Sequence, residues 1–271
     1  MGWDFQTDPE YQAKLDWVDQ FVREQIEPLD FLFPHQQYVP LDEGRRRIID
    51  PLKQEVRRKG LWATHLGPEL GGQGYGQLKL ALLNEILGRS TWAPIVFGTQ
   101  APDTGNAEII AHYGTDEQKR LWLPRLAKDT LSAFCLSEPN VGCDAGGQES
   151  TCYWDEAGQC YVLNGEKKWA TSGALSGIFT VMAKQKVKDK SGKEIEKVSA
   201  LVCTPDMPGI DIFQKNRSKC GIRGTWQARI RFTNVKVPKA NLLAKEGMGF
   251  KIAMTCLNYG RCTLSAGMLG G

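Results

Sequence analysis

Cys160-Tyr161-Val162-Leu163-Asn164-Gly165-Glu166-Lys167-Lys168-Trp169-Ala170-Thr171 is the stretch on which the fold turns. Asn164-Gly165 supplies the two positive-φ positions of a type I′ turn, so the stretch predicts a hairpin of strands Cys160–Leu163 and Glu166–Thr171. The two-residue period sets in earlier, after Thr130, where Ser132–Ser137 reads as a strand. Ile178–Val187 and Val198–Thr204 are two more strands, joined by the polar tip Lys188-Asp189-Lys190-Ser191-Gly192. Gln227–Val237 alternates in the same manner and stops at Pro238. Short strands and hairpins over about 110 residues, with no helices between them, predict an antiparallel sandwich or barrel.

Outward from this region the period is helical. From Asp8 the apolar positions Tyr11, Leu15, Val18, Phe21, Val22 and Ile26 recur at steps of three and four, and Pro28 is expected to stop the run. Leu41–Gly60 and Leu78–Leu87 read as further helices. Between them Gly71-Gly72-Gln73-Gly74-Tyr75-Gly76 is a loop entering a helix. It is not GxGxxG, and no strand precedes it, so a dinucleotide fingerprint fails on context. Thr115-Asp116-Glu117-Gln118 is a capping box, and the helix it starts carries Leu121, Trp122 and Leu126, with a break expected near Pro124. After Gly247 the helical period returns as a stripe of Phe250, Ala253, Met254, Leu257, Leu264 and Met268, with Arg261 lying within it. The sequence thus predicts an α+β chain: a helical domain over residues 1–131, a β domain over 132–240, and the opening of a second helical domain over 241–271.

Composition narrows the class. The chain has 271 residues, 41% hydrophobic and 24% charged, with a net charge of +3. This is the profile of a soluble globular protein, too balanced in charge to argue for nucleic acid. The clusters Arg45-Arg46-Arg47, Arg57-Arg58-Lys59 and Lys184–Lys197 are short and mixed with acids, and read as solvated faces. No apolar run approaches the roughly 20 residues of a membrane helix. Met1-Gly2-Trp3-Asp4 lacks a signal-peptide core, and Gln6 stands where a myristoylation motif wants Ser or Thr. The eight cysteines include no CxxC, so free thiols in a reducing compartment, cytoplasm or mitochondrial matrix, are the expectation. His35, His65 and His112 make no HExxH and no serine sits in GxSxG, which argues against zinc and serine hydrolases and leaves no metal site expected.

Three segments carry a resemblance. Phe134-Cys135-Leu136-Ser137-Glu138-Pro139-Asn140-Val141-Gly142-Cys143-Asp144, Leu163–Gly173, and Gly247-Met248-Gly249-Phe250 leading to Leu257-Asn258-Tyr259-Gly260-Arg261 resemble, in order, motifs of the acyl-CoA dehydrogenase flavoproteins. Tyr113–Lys119 and Pro68-Glu69-Leu70-Gly71-Gly72-Gln73-Gly74 add weaker matches. The resemblance covers nearly the whole chain and looks like the front two-thirds of such an enzyme.

The resemblance implies FAD as cofactor and α,β-dehydrogenation of acyl-CoA thioesters, within fatty acid metabolism. It implies backbone amides from the strand Phe134, Cys135 and Leu136, and a hydroxyl from Ser137, where the family has Thr, toward the hydride-accepting nitrogen. Trp169 is expected against the ring, with Ala170 beside it and Thr171 as a second hydroxyl. Gly142 and the amide of Cys143, where the family has Ser, are expected at the pyrophosphate; a thiol is the weaker donor. Cys143, Asn258, Tyr259, Gly260 and Arg261 are the implied substrate contacts. Asn258 stands where the family has the aspartate that meets the CoA adenine. Gly260 stands where a minority of members carry the catalytic carboxylate; glycine cannot be a base, so that base is expected beyond Gly271 and no catalytic residue is assigned. An electron-transfer flavoprotein as acceptor and homo-oligomerisation follow by resemblance. The rival readings are a non-catalytic truncated isoform or fragment, and a flavin oxidase or monooxygenase on the same fold.

Overall fold

The computed structural model describes residues 7–34, 41–68, 72–127, 130–222 and 224–271. Met1, Gly2, Trp3, Asp4, Gln6, His35, Glu69, Leu70 and Gly71, all named above, lie outside the described residues. There are two compact units. One takes in the described residues up to Gln100 together with Asn258–Gly271; the other takes in the described residues of Ala101–Leu257.

In the first unit Asp8 caps α1 (Pro9–Phe21), its carboxylate accepting the Tyr11 amide at 2.9 Å, and the apolar spacing turns Tyr11, Leu15, Val18 and Phe21 inward. The run does not stop at Pro28. A π-helical turn, Val22–Ile26, carries the chain into α2 (Glu27–Leu32), so that Pro28 falls in a first turn, where an amide is dispensable. Asp42 caps α3 (Glu43–Arg58) through the Arg45 amide at 2.8 Å. With α4 (Gly76–Leu87) and the short α5 (Ala93–Val96), these helices enclose Val18, Ile26, Ile49, Leu83, Trp92 and Phe97.

The second unit opens with α6 (Asp103–Tyr113) and α7 (Asp116–Ala127). The capping box forms: the Thr115 amide donates to Gln118 Oε1 at 2.9 Å, and the Gln118 amide to Thr115 Oγ1 at 3.2 Å. The expected break at Pro124 is absent. Its ring deprives the Arg120 carbonyl of a bond, but Arg120 is exposed, and the helix runs on to Ala127.

Among the described residues the sheet has seven strands: β1 (Ser132–Cys135), β2 (Thr151–Asp155), β3 (Cys160–Thr171), β4 (Ile178–Lys188), β5 (Glu194–Cys203), β6 (Ile210–Gln214) and β7 (Gln227–Pro238). Their order is β1-β4-β2-β3-β7-β6, with β5 also on β4. The sheet is mixed, not antiparallel throughout: β1 and β4 run parallel from Ser132↔Ile178 to Cys135↔Val181, and β2 meets β4 in parallel at Thr151↔Lys184. Parallel neighbours need a long crossover, which the chain between Cys135 and Ile178 provides. The expected hairpin at Asn164-Gly165 is also corrected. β3 is one strand of 12 residues, paired along its length with β7 and over its first part with β2. Asn164-Gly165 is a bulge within it: the register shifts between Leu163 and Gly165, Gly165 takes φ +139°, and Asn164 Oδ1 accepts the Asn234 amide of β7 at 2.8 Å.

The last helix, α8, spans Gly249–Gly270. Its predicted apolar stripe divides: Ala253 is buried, Met254 and Leu257 are half-buried, and Phe250, Leu264 and Met268 are exposed. Near its start the inward side carries Ile252 beside Ala253, whereas toward its end that side is made of small residues. Among them Gly267 and Gly270 lie against α4, where a Cβ added at Gly88 would strike the Gly267 carbonyl, and one at Gly270 the Glu85 carbonyl. No described helix is long and apolar enough to cross a membrane.

Candidate functional site

The segment Leu136–Ser150 between β1 and β2 is held by an ion pair inside the second unit. Glu138 and Lys167 have side chains 1% and 0% exposed, and Lys167 Nζ donates to Glu138 Oε1 at 2.6 Å. Lys167 Nζ also donates to Gln148 Oε1 at 3.1 Å and to the Leu136 carbonyl at 3.3 Å. Glu138 in turn accepts the amides of Glu149 at 2.5 Å and Ser150 at 3.1 Å. Burial pushes the Glu138 carboxyl upward, but the Lys167 charge and these donors outweigh it and hold the group below the usual carboxylate range. One carboxylate therefore fastens both ends of the segment to β3.

The same strand changes course just past Lys167. The register against β7 shifts between Lys167 and Ala170, Trp169 takes φ +61°, and the residue stands 39% exposed. A non-glycine residue at positive φ is strained, and Trp169 is kept there by pairing on both sides of the bulge. The Lys168 amide donates to the Ser137 carbonyl at 2.8 Å, which sets Ser137 beside the bulge. Thr171 follows directly opposite Gln227 of β7. The loop after β6 folds back over this end of the sheet: Asn216 Oδ1 accepts the amides of Arg217 at 2.8 Å and Gln227 at 3.1 Å, and the Arg217 guanidinium lies 4.6 Å from the Trp169 ring centre.

The structure thus brings Ser137, Trp169 and Thr171 to one end of β3. Phe134, Leu136, Ser137 and Thr171 are half-buried, whereas Cys135 and Ala170 are sealed in the sheet core, where only their backbone is available to a ligand. Gly142 and Cys143 are exposed, and a Cβ built on Gly142 would meet nothing within 4 Å. Asn258, Tyr259, Gly260 and Arg261 share one turn of α8, where Arg261 donates to Asn258 Oδ1 at 2.8 Å. Glu138, Lys167, Arg217 and Gln227 were not among the sequence candidates. The first two had a signal, a charge on each side of the site motifs at inward-facing positions. Arg217 and Gln227 had none, because only the strand pairing brings them near. Among the described residues no three His, Cys, Asp or Glu side chains are grouped to hold a metal.

Residues 8–130 match the acyl-CoA dehydrogenase N-terminal domain and residues 133–235 the acyl-CoA dehydrogenase middle domain. The chain is 34% identical over 254 residues to the mitochondrial very long-chain specific acyl-CoA dehydrogenase of Bos taurus, covering 93% of this chain but only 38% of that protein. It is 30% identical to butyryl-CoA dehydrogenase of Megasphaera elsdenii, with a TM-score of 0.76 over 99% of this chain and 67% of that one. An acyl-CoA dehydrogenase of Bacillus anthracis, solved in complex with FAD, is likewise 30% identical with a TM-score of 0.76, over 98% of this chain and 43% of that one. On these matches, and on the helix–sheet–helix order they share with it, the chain belongs to the acyl-CoA dehydrogenase family.

Proposed function

We propose that this chain forms the flavin- and thioester-binding part of an FAD-dependent enzyme that desaturates acyl-CoA between the α and β carbons. The observation that carries the proposal is the convergence of Ser137, Trp169 and Thr171 at the β3 bulge, tied together by the Lys168–Ser137 backbone bond. The residues fit a flavin. An exposed indole offers a flat apolar surface, two hydroxyls offer donors to a ring edge that gains negative charge, and the ground at Gly142 is open.

When bound, FAD supplies the acceptor for the hydride from the β carbon. The chain's own part is to hold and orient. Ser137 and Thr171 donate to the ring edge, Trp169 covers the ring against water, and Gly142 with the Cys143 amide receives the pyrophosphate. Glu138 and Lys167 keep the Ser137 segment in register with the strand. Asn258 and Arg261 serve the CoA end of the substrate. Gly260 has no acid to offer, so the α proton passes to a carboxylate from another position. An electron-transfer flavoprotein as acceptor and assembly into a homo-oligomer belong to the same proposal. The chain spans 38% of the length of the very long-chain relative, so turnover is a property proposed for the whole enzyme.

FAD titration followed by flavin fluorescence tests the reading. Trp169→Ala is expected to weaken binding by about 1–3 kcal/mol, the scale of losing one packed aromatic face, and Thr171→Ala by less. Unchanged affinity in both variants would make the β3 end a scaffold only.

A further inference from the structure

Thr171 and Gln227 are direct partners in the β3–β7 ladder, so their side chains rise from the same face of the sheet. Gln227 Nε2 donates to Thr171 Oγ1 at 3.3 Å, and among the described residues this is the one hydrogen bond of the Thr171 side chain. A hydroxyl has one hydrogen and two lone pairs. With an amide N–H on one lone pair, its hydrogen turns away from β7 and is left to serve another acceptor. Gln227 is itself anchored, since its amide donates to Asn216 Oδ1 at 3.1 Å and the neighbouring Trp226 carbonyl accepts the Ser172 amide at 2.7 Å.

We infer that Gln227 is a positioning residue: by donating to Thr171 Oγ1 it fixes that hydroxyl as a hydrogen-bond donor toward the flavin edge. This rests on the FAD reading above and adds to it a residue that touches neither flavin nor substrate. A fixed donor favours the more electron-rich form of the ring, so the flavin's reduction potential reads it directly.

The test is a double-variant cycle on the FAD-loaded protein, measuring the two-electron potential of the bound flavin for the parent, Gln227→Met, Thr171→Val and the double variant. Thr171→Val is expected to lower the potential, with a tenfold change in the reduction equilibrium appearing as about 30 mV. Gln227→Met is expected to lower it in the Thr171 protein by part of that amount, and to change nothing in the Thr171→Val background. Gln227→Leu carries the same test if the Met variant does not fold. Equal shifts in both backgrounds, or no shift from Gln227→Met while Thr171→Val shifts the potential, overturn the role of Gln227 and leave the FAD reading standing. Failure of the parent protein to bind FAD overturns both.

Discussion

Glu108 of α6 is buried, and burial pushes its pKa up to about 7. An unfolded chain ionises this group near its ordinary 4.5, so between those values the unfolded state gives up a proton that the folded state keeps. Stability from this residue is full below 4.5 and declines as pH rises through 7, by roughly 3 kcal/mol in all. His65 works the other way. Among the described residues neither of its buried ring nitrogens has a hydrogen-bond partner, and burial lowers its pKa from 6.5 to about 4. Its share of the stability is full above 6.5 and is lost as pH falls toward 4. The two windows overlap with opposite slopes, so the parent protein should show little net pH dependence between 4.5 and 6.5. Urea unfolding at a series of pH values is expected to show Glu108→Gln losing stability on acidification through that range, and His65→Leu losing it as pH rises. A flat profile in both variants would mean that neither group is kept from ionising by the fold.

At the scale of elements, the buried pair on β3 is where one change costs most. Lys167→Met leaves the Glu138 carboxylate buried with only its amide donors, which is expected to cost about 3–5 kcal/mol. Adding Glu138→Gln removes the stranded charge and should recover a large part of that, measured by denaturant unfolding; no recovery would show that Lys167 acts by packing. This strand also shows what could be read in advance. Its ends at Cys160 and Thr171 were legible, as were β4, β7 and the capping box at Thr115, because each rests on neighbours in sequence. Asn164-Gly165 reads as a turn because a type I′ turn and a bulge both call for a residue free to take positive φ at Gly165, and only pairing with β7, some 65 residues away, decides between them. β2 and β6 are each five residues long, too short for alternation to declare itself. The proline errors share one cause: a missing amide ends a helix only where the chain cannot rearrange, as the π-helical turn before Pro28 does. Of the site, Ser137, Trp169 and Thr171 were reached through resemblance, whereas Gln227 is visible only from the ladder.

For the molecule as a whole, the outward side of α8 governs behaviour in solution. Leu264, Met268 and Leu269, near the end of this helix, are 62%, 73% and 81% exposed. Apolar surface gathered in this way favours association at about 25 cal/mol per Å² removed from water. The 271-residue chain is therefore expected to give concentration-dependent light scattering, which Leu264→Lys with Met268→Lys suppresses; a monodisperse parent at high concentration would contradict this. What aims that face is the absence of side chains behind it. Gly270 follows Arg261 by nine residues, about two and a half turns, which puts the two on opposite sides of the helix. With backbone pressed on backbone at Gly88 and Gly270, the helix has no rotamers to trade for a small roll about its axis. The direction in which Arg261 is presented is thus stored in glycines that lie turns away from it. An alanine at Gly270 would re-aim the arginine without touching it, while one at Gly267, where an added Cβ has ordinary clearance, would leave its bearing as it is.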